Sequence, residues 1–356
     1  MRLTERRENG RRLSRSLKHR DWIRADTQAN LVETPLTTHH REDRMRAESE
    51  LPTLEGLFDI YRSEVTPTKA IRTQWHDRMA MQMFLSFFGR SRNPATLSNR
   101  DWDRFIQERR AGRIGRSGKP VSNRTIECDL RLLIAVFNWA AKSRDEEGRP
   151  LLDSNPLKGM RMPREKNPNR VVLTADEYRA LLRVSRQVHP RFHVALVLAH
   201  ETGHRIGAIR QLRWSDIDFE DRSILWRAEH EKTGFQHRTP VTTEALTALR
   251  EAQGISPGIG DGPVLASSTD PVRCAGGSLL RYWWDRAEKL AGLEPKRGRG
   301  WHSLRRKFAS DLLSQPLKVL CQLGGWKDAQ TVLRCYQRPD DEQLRKALES
   351  RPSVRT

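Results

Sequence analysis

Cysteine is scarce in this chain: Cys128, Cys274, Cys321 and Cys335 are the only four in 356 residues. None stands in C-x-x-C spacing, which argues against a disulfide framework or a cysteine zinc site and fits a reducing compartment. Long apolar runs are missing as well. The most apolar stretch, VALVLA at 194–199, falls far short of the ~20 residues that span a bilayer, so no membrane partner is expected. The opening MRLTERRENGRRLSRSLKHR has no apolar centre, so no secretory signal is read there and a cytoplasmic setting is expected. No P-loop signature occurs, and no cofactor is implied. Tyrosine, too, is limited to four residues. Acid falls short of base: 65 Lys+Arg against 45 Asp+Glu leave a formal charge of +20. That excess points to a polyanionic partner, most often nucleic acid.

What is present suffices for folded domains. The hydrophobic share is 36%, with ten Trp and ten Phe. The length exceeds what one core usually holds, so two domains plus tails are expected. Residues 1–52 are polar and Arg-rich and read as a mobile basic arm with room for short helices. Residues 53–150 carry helical stripes. Leu54, Leu57, Phe58 and Tyr61 share one face; Met79, Ala80, Met83, Phe84, Phe87 and Phe88 repeat at threes and fours, with Gly89 as a stop; Ile126, Leu130, Leu133, Ile134 and Phe137 do the same. These stripes are core positions of an all-α domain of about four helices. Residues 151–172 hold several prolines among Arg and Lys and read as a basic linker.

The segment 173–356 mixes elements. Thr174 and Glu177 have capping-box spacing. Helices are expected near 175–186, 190–201, 243–253, 277–291, 302–313, 316–323 and 328–336. Strands are expected at 223–228 and 237–242, around a Lys232-Thr233-Gly234 turn. The fold class is therefore mainly α with a small antiparallel β-sheet in the second domain.

Two constellations compete for the chemistry. His200-Glu201-Thr202-Gly203-His204 matches H-E-x-x-H, in which two histidines one helical turn apart bind zinc and the Glu activates water. Its departures are Arg210, where a third histidine would fall, and Gly203 inside the required helix. The second constellation is dispersed. ETGHRIGAIRQLRWSDID at 201–218 places Arg205 at a helix start after a Gly turn, and Lys232 follows in its Lys-Thr-Gly turn. WHSLRRKF supplies His302 and Arg305 one turn apart on one helix face; LGGWKD supplies Trp326; TVLRCYQ supplies Tyr336.

This ordered set, R…K…H-x-x-R…W…Y, resembles the tyrosine recombinases, the phage-integrase class of site-specific DNA recombinases, over about residues 53–345. The resemblance implies a two-domain DNA clamp: an all-α core-binding (SAM-like) domain and a mixed α+β integrase catalytic domain. It implies Tyr336 as the nucleophile, forming a 3′-phosphotyrosyl link and releasing a 5′-hydroxyl. Arg205 and Arg305 would clamp the scissile phosphate with planar, permanently charged donors. Lys232 would protonate the leaving 5′-oxygen, His302 would accept a proton or bond the phosphate, and Trp326 would donate its indole N–H. Neither metal nor ATP enters such a scheme.

The family often carries an acidic residue three after its first arginine, supporting it. Here that place is Ala208, so the support is expected from another group. Lys296, Arg297, Arg299, Arg306 and Lys307 are candidate contacts to the DNA backbone. The resemblance also implies double-stranded DNA as partner, a homo-tetramer on paired sites, nucleoid association, and a docking role for residues 340–349. Two further readings share the fold or the chemistry: a DNA-binding protein without strand exchange, and a type IB topoisomerase. The H-E-x-x-H metalloprotease is the third alternative.

Overall fold

The computed structural model describes residues 53–115, 117–165, 170–231, 234–255, 261–339 and 341–350, and the backbone of 2–6 and 12–16. The chain divides into two compact units, Met1–Asn167 and Pro168–Thr356.

Within the basic arm, β1 (Arg2–Arg6) and β2 (Arg12–Ser16) pair antiparallel, Arg2 opposite Ser16 and Arg6 opposite Arg12. Two short strands thus stand in an arm that the sequence leaves open to short helices. The residues between them include Asn9-Gly10, a strong short-range hairpin signal that a search for helical periodicity passes over. The rest of the arm, and its expected mobility, lie outside the described residues.

The first unit continues as four helices: α1 (Leu54–Glu64), α2 (Ile71–Phe88), α3 (Asn99–Arg110) and α4 (Asn123–Ala140). Short polar side chains set where three of them start. Thr53 accepts from Gly56 N, Ser98 and Asp101 form a reciprocal capping box, and Ser122 accepts from Thr125 N. Leu54, Leu57, Phe58 and Tyr61 are all buried, as are Ile126, Leu130, Leu133 and Phe137. On α2 the buried stripe is Ala80, Met81, Phe84 and Leu85, turned slightly from the expected one, so Met81 replaces Met79. Phe84 and Phe105 meet at 5.0 Å between ring centroids, with Phe58 on the other side at 6.3 Å. Leu152 and Leu157 also bury in this core, and Trp102 Nε1 donates to Arg161 O at 3.1 Å.

The second unit is built around α6 (Pro190–Thr202), which is buried on nearly every side. Its sequence explains this, since PRFHVALVLA carries no charge after Arg191. α5 (Ala175–Val188) precedes it, opened by the Thr174–Glu177 capping box. After α6 come α7 (Ile206–Gln211) and a three-stranded antiparallel sheet of β3 (Ile217–Asp218), β4 (Ser223–Trp226) and β5 (His237–Pro240). The register pairs Trp226 with His237 and Ile224 with Thr239. Then follow α8 (Thr243–Ile255), α9 (Gly277–Leu290), α10 (Trp301–Asp311), α11 (Leu317–Gly324), α12 (Ala329–Cys335) and α13 (Asp341–Glu349). Among its described residues this second unit is mainly α with one small antiparallel sheet, as the patterning predicts. Ala309, Leu320, Trp326, Val332 and Tyr336 form a separate small apolar cluster, which supports the candidate site.

Candidate active site

Three turns bring the site together. The first is at Gly203, which ends α6 with φ +64°. A Cβ there would lie 2.2 Å from Phe308 Cδ1, so only glycine fits both the left-handed turn and the approach of α10. The turn places Arg205 at the N-cap of α7. The second turn, at Gly325 (φ +64°), ends α11 and delivers Trp326. The third is the end of α12, where Tyr336 is the C-cap residue.

Arg305 is at the centre. It is 1% exposed, an unusual degree of burial for a guanidinium. Nη1 donates to the carbonyls of Gly203 (2.5 Å) and Gly324 (2.6 Å), so this one arginine reads both glycine turns. Its guanidinium lies 3.8 Å from the centre of the Trp326 ring and 5.1 Å from that of Tyr336. Both distances lie within cation–π range. Nε and Nη2 are buried and find no acceptor with hydrogen-bond geometry among the described residues. Burial pushes the Arg305 pKa down to about 10, and repulsion from Arg205 adds to the shift; Tyr336 and Glu231 oppose it. At neutral pH the group is still a cation.

The other candidates arrange around it. Tyr336 and Trp326 are both buried and meet edge to face at 5.1 Å. The indole Nε1 of Trp326 is buried without a partner among the described residues. His302, one turn before Arg305, is exposed, and its ring centroid lies 6.5 Å from that of Tyr336. Arg205 donates from Nη1 to Glu231 Oε2 at 3.1 Å. Lys232 lies outside the described residues.

Sequence reasoning missed Glu231 and His237. Glu231 is buried, and its Oε1 has no partner among the described residues. Burial pushes its pKa up, against the pull of Arg205 and Arg305. The signal available was an acid beside Lys232, but nothing in the sequence says that it is buried. His204 Nε2 and His237 Nε2 lie 3.0 Å apart, and His204 stacks on Trp226 at 3.6 Å. Complete burial, followed by the charge of Arg305, holds His204 well below its ordinary pKa; burial and Arg305 lower His237 as well. A Cβ on Gly325 would meet both rings, so this pair packs against the turn that carries Trp326.

These contacts break up the H-E-x-x-H reading. α6 ends at Thr202, so the two histidines do not share a helix face. His200 stacks on Tyr178 at 3.7 Å and bonds Glu201 at 2.6 Å, while Glu201 Oε2 accepts from Thr242. Among the described residues no group of three or more His, Cys, Asp or Glu side chains is placed to hold a metal ion. The expected phosphate-contacting run also divides. Arg299 is buried and pairs with Glu288 (2.7 Å) and Glu177 (2.9 Å), which makes it structural. Arg306 donates to Val171 O, Lys307 pairs with Asp311, and Lys296 and Arg297 are exposed.

Residues 171–343 match the phage integrase family. The chain is 24% identical over 296 residues to a putative integrase/recombinase of Haemophilus influenzae, covering 81% of this chain and 88% of that protein. It is 26% identical over 249 residues to the tyrosine recombinase XerC of Xanthomonas axonopodis pv. citri, covering 67% and 73% respectively. Among solved structures, a lambda integrase tetramer bound to a Holliday junction aligns with a TM-score of 0.65 at 20% identity, covering 99% of this chain and 94% of that one. At that identity the likeness shows a shared fold.

Proposed function

We propose that this chain, which belongs to the phage integrase family of tyrosine recombinases, is a site-specific DNA recombinase whose nucleophile is Tyr336. The observation that carries the assignment is the Arg305 pocket: a buried cation whose Nε and Nη2 lack an acceptor with hydrogen-bond geometry among the described residues, stacked on Trp326, with the Tyr336 ring 5.1 Å away.

Each step follows from what these side chains can do. The scissile phosphodiester brings one negative charge, which Arg305 and Arg205 meet. Planar guanidinium forks suit nonbridging phosphate oxygens, and they act most strongly where water is excluded. The Tyr336 oxygen attacks phosphorus. The P–Oη bond forms, the bond to the 5′-oxygen breaks, and the phenolic proton passes to a base, for which His302 is the nearest imidazole to the Tyr336 ring. Lys232 gives the leaving 5′-oxygen its proton. The Trp326 N–H supplies one further donor. It cannot shuttle protons, so it serves to stabilise charge. One ester is exchanged for another, so the bond energy is conserved in the phosphotyrosyl link. A second 5′-hydroxyl then reverses the chemistry on a new strand. No metal and no ATP enter this scheme.

Double-stranded DNA is the partner, and the protein acts at the nucleoid. It assembles as a homo-tetramer on paired sites, as the lambda integrase of this fold does on a Holliday junction. α13 suits docking to a neighbouring copy: none of its residues is buried, and Leu344 and Leu348, one turn apart, are exposed.

The test is covalent capture. DNA fragments retained by the full chain are selected and sequenced, and a recovered site is rebuilt with a nick beside the cleavage point. Wild type is expected to form a protein–DNA adduct, and Tyr336→Phe to bind the same duplex without forming one. An adduct that persists in Tyr336→Phe refutes the assignment. Binding without any adduct supports the DNA-binding reading, and relaxation of supercoils at a single site supports a topoisomerase.

A further inference from the structure

The phosphotyrosyl scheme leaves one buried charge in this pocket unused. Glu231 closes the short 3-10 turn Ala228–His230 after β4, and its side chain is 2% exposed. A buried carboxylate loses hydration and must recover it from partners. Oε2 finds Arg205 Nη1 at 3.1 Å, while Oε1 finds no partner among the described residues. The need is mutual, because Glu231 is the acceptor that the Arg205 side chain has among the described residues. Ala208, one helical turn beyond Arg205, is buried and offers none.

The charges around the site point the same way. Arg205 pushes the Arg305 pKa down and Glu231 pushes it up. The two arginines therefore repel each other in the empty pocket, and Glu231 offsets that repulsion. It also occupies only one edge of the Arg205 fork, leaving the other nitrogens free for a phosphate. The backbone holds the same residue as well: Gly234 N donates to Glu231 O at 2.9 Å.

We propose that Glu231 is the positioning residue for Arg205, fixing its guanidinium toward the scissile phosphate in the role that Ala208 cannot fill. This rests on the recombinase reading above. Glu231 acts through Arg205 and touches no reacting atom. One residue thus sets the phosphate clamp.

The test uses the full chain and the nicked duplex described above, with Glu231→Gln, Glu231→Ala, Arg205→Ala and the Arg205→Ala/Glu231→Ala double variant. Glu231→Gln keeps the shape and an acceptor oxygen and removes a buried charge, so it guards against misfolding; thermal melting of each variant checks this. Adduct rates are read at saturating protein, separately from DNA affinity. Loss of a charged hydrogen-bond partner predicts that Glu231→Ala slows adduct formation by about tenfold to a hundredfold, with affinity for the duplex nearly unchanged. Glu231→Gln should fall between Glu231→Ala and wild type. The double variant should be no slower than Arg205→Ala alone, which a merely structural role for Glu231 would not produce. Wild-type rates in both Glu231 variants, or fully additive losses in the double variant, overturn the proposal while leaving the function intact. A wild type that forms no Tyr336-dependent adduct overturns both.

Discussion

Gly203→Ala is the sharpest single perturbation of this architecture, because Gly203 serves the fold and the site through different atoms. Its φ of +64° is one that L-residues rarely adopt, and its missing Cβ leaves room for Phe308. Its carbonyl accepts from Arg305. Alanine in the left-handed region costs about 1–2 kcal/mol. A Cβ 2.2 Å from Phe308 Cδ1 and 2.5 Å from Cγ must also displace that ring, and overpacking of this kind costs about 1–3 kcal/mol more. For a unit of this size each kcal/mol lowers Tm by about 2–4 °C, so the expected loss is about 4–20 °C. The control is Gly292→Ala. Gly292 has the same φ of +64° but nothing within 4 Å of its would-be Cβ, so it carries only the backbone penalty. Thermal unfolding followed by tryptophan fluorescence compares the two, and adduct formation is measured well below either transition. Gly203→Ala should melt below Gly292→Ala and also form adduct more slowly, since its carbonyl helps aim Arg305. Equal melting shifts would refute the claim that α10 is packed tightly onto this turn.

Three other outcomes are expected. Arg299→Ala leaves Glu177 and Glu288 partly buried without their cation, and breaking a buried pair costs about 3–5 kcal/mol; Tm should fall sharply while duplex affinity, measured below the transition, stays at the wild-type value. Trp326→Phe keeps an aromatic face over Arg305 but removes the unpartnered Nε1 donor; adduct formation should slow with little change in melting, and an unchanged rate would show that this N–H meets no phosphate. For Glu231 the raised pKa means that the folded state holds its proton more tightly than the unfolded state. Wild-type stability therefore declines as pH rises above the ordinary glutamate value. Unfolding measured across that range should show Glu231→Gln gaining on wild type as pH increases, and a constant difference would contradict the burial argument.

Much of the fold was legible locally. The stripes at Leu54–Tyr61 and Ile126–Phe137 became buried helix faces, and the Thr174–Glu177 spacing became a capping box, because such signals act within one or two turns of chain. The candidate site was legible as an ordered string of residue types. Misreadings arose where the partner is remote. Arg299 read as a DNA contact among other basic residues, yet it pairs with Glu177, 122 residues away. The H-E-x-x-H string was legible as a poor zinc motif from Gly203 alone, and that glycine in the left-handed region does separate its histidines. Asn9-Gly10 lay in an arm judged by its charge, and the strands beside it went unseen.

The sequence by itself determined which segments are helical, which faces are apolar, and the order in which two arginines, a histidine, a tryptophan and a tyrosine follow one another. Periodicity and capping depend only on near neighbours, so they can be read along the line. Only the tertiary structure decided what each polar group would do. Glu231 meets Arg205 across 26 residues and His204 meets His237 across 33. Arg305 sits between two turns and two aromatic rings that the chain supplies from separate places. The role of a charge is set by its hydration and its partners, and both exist only once distant parts of the chain have closed around it.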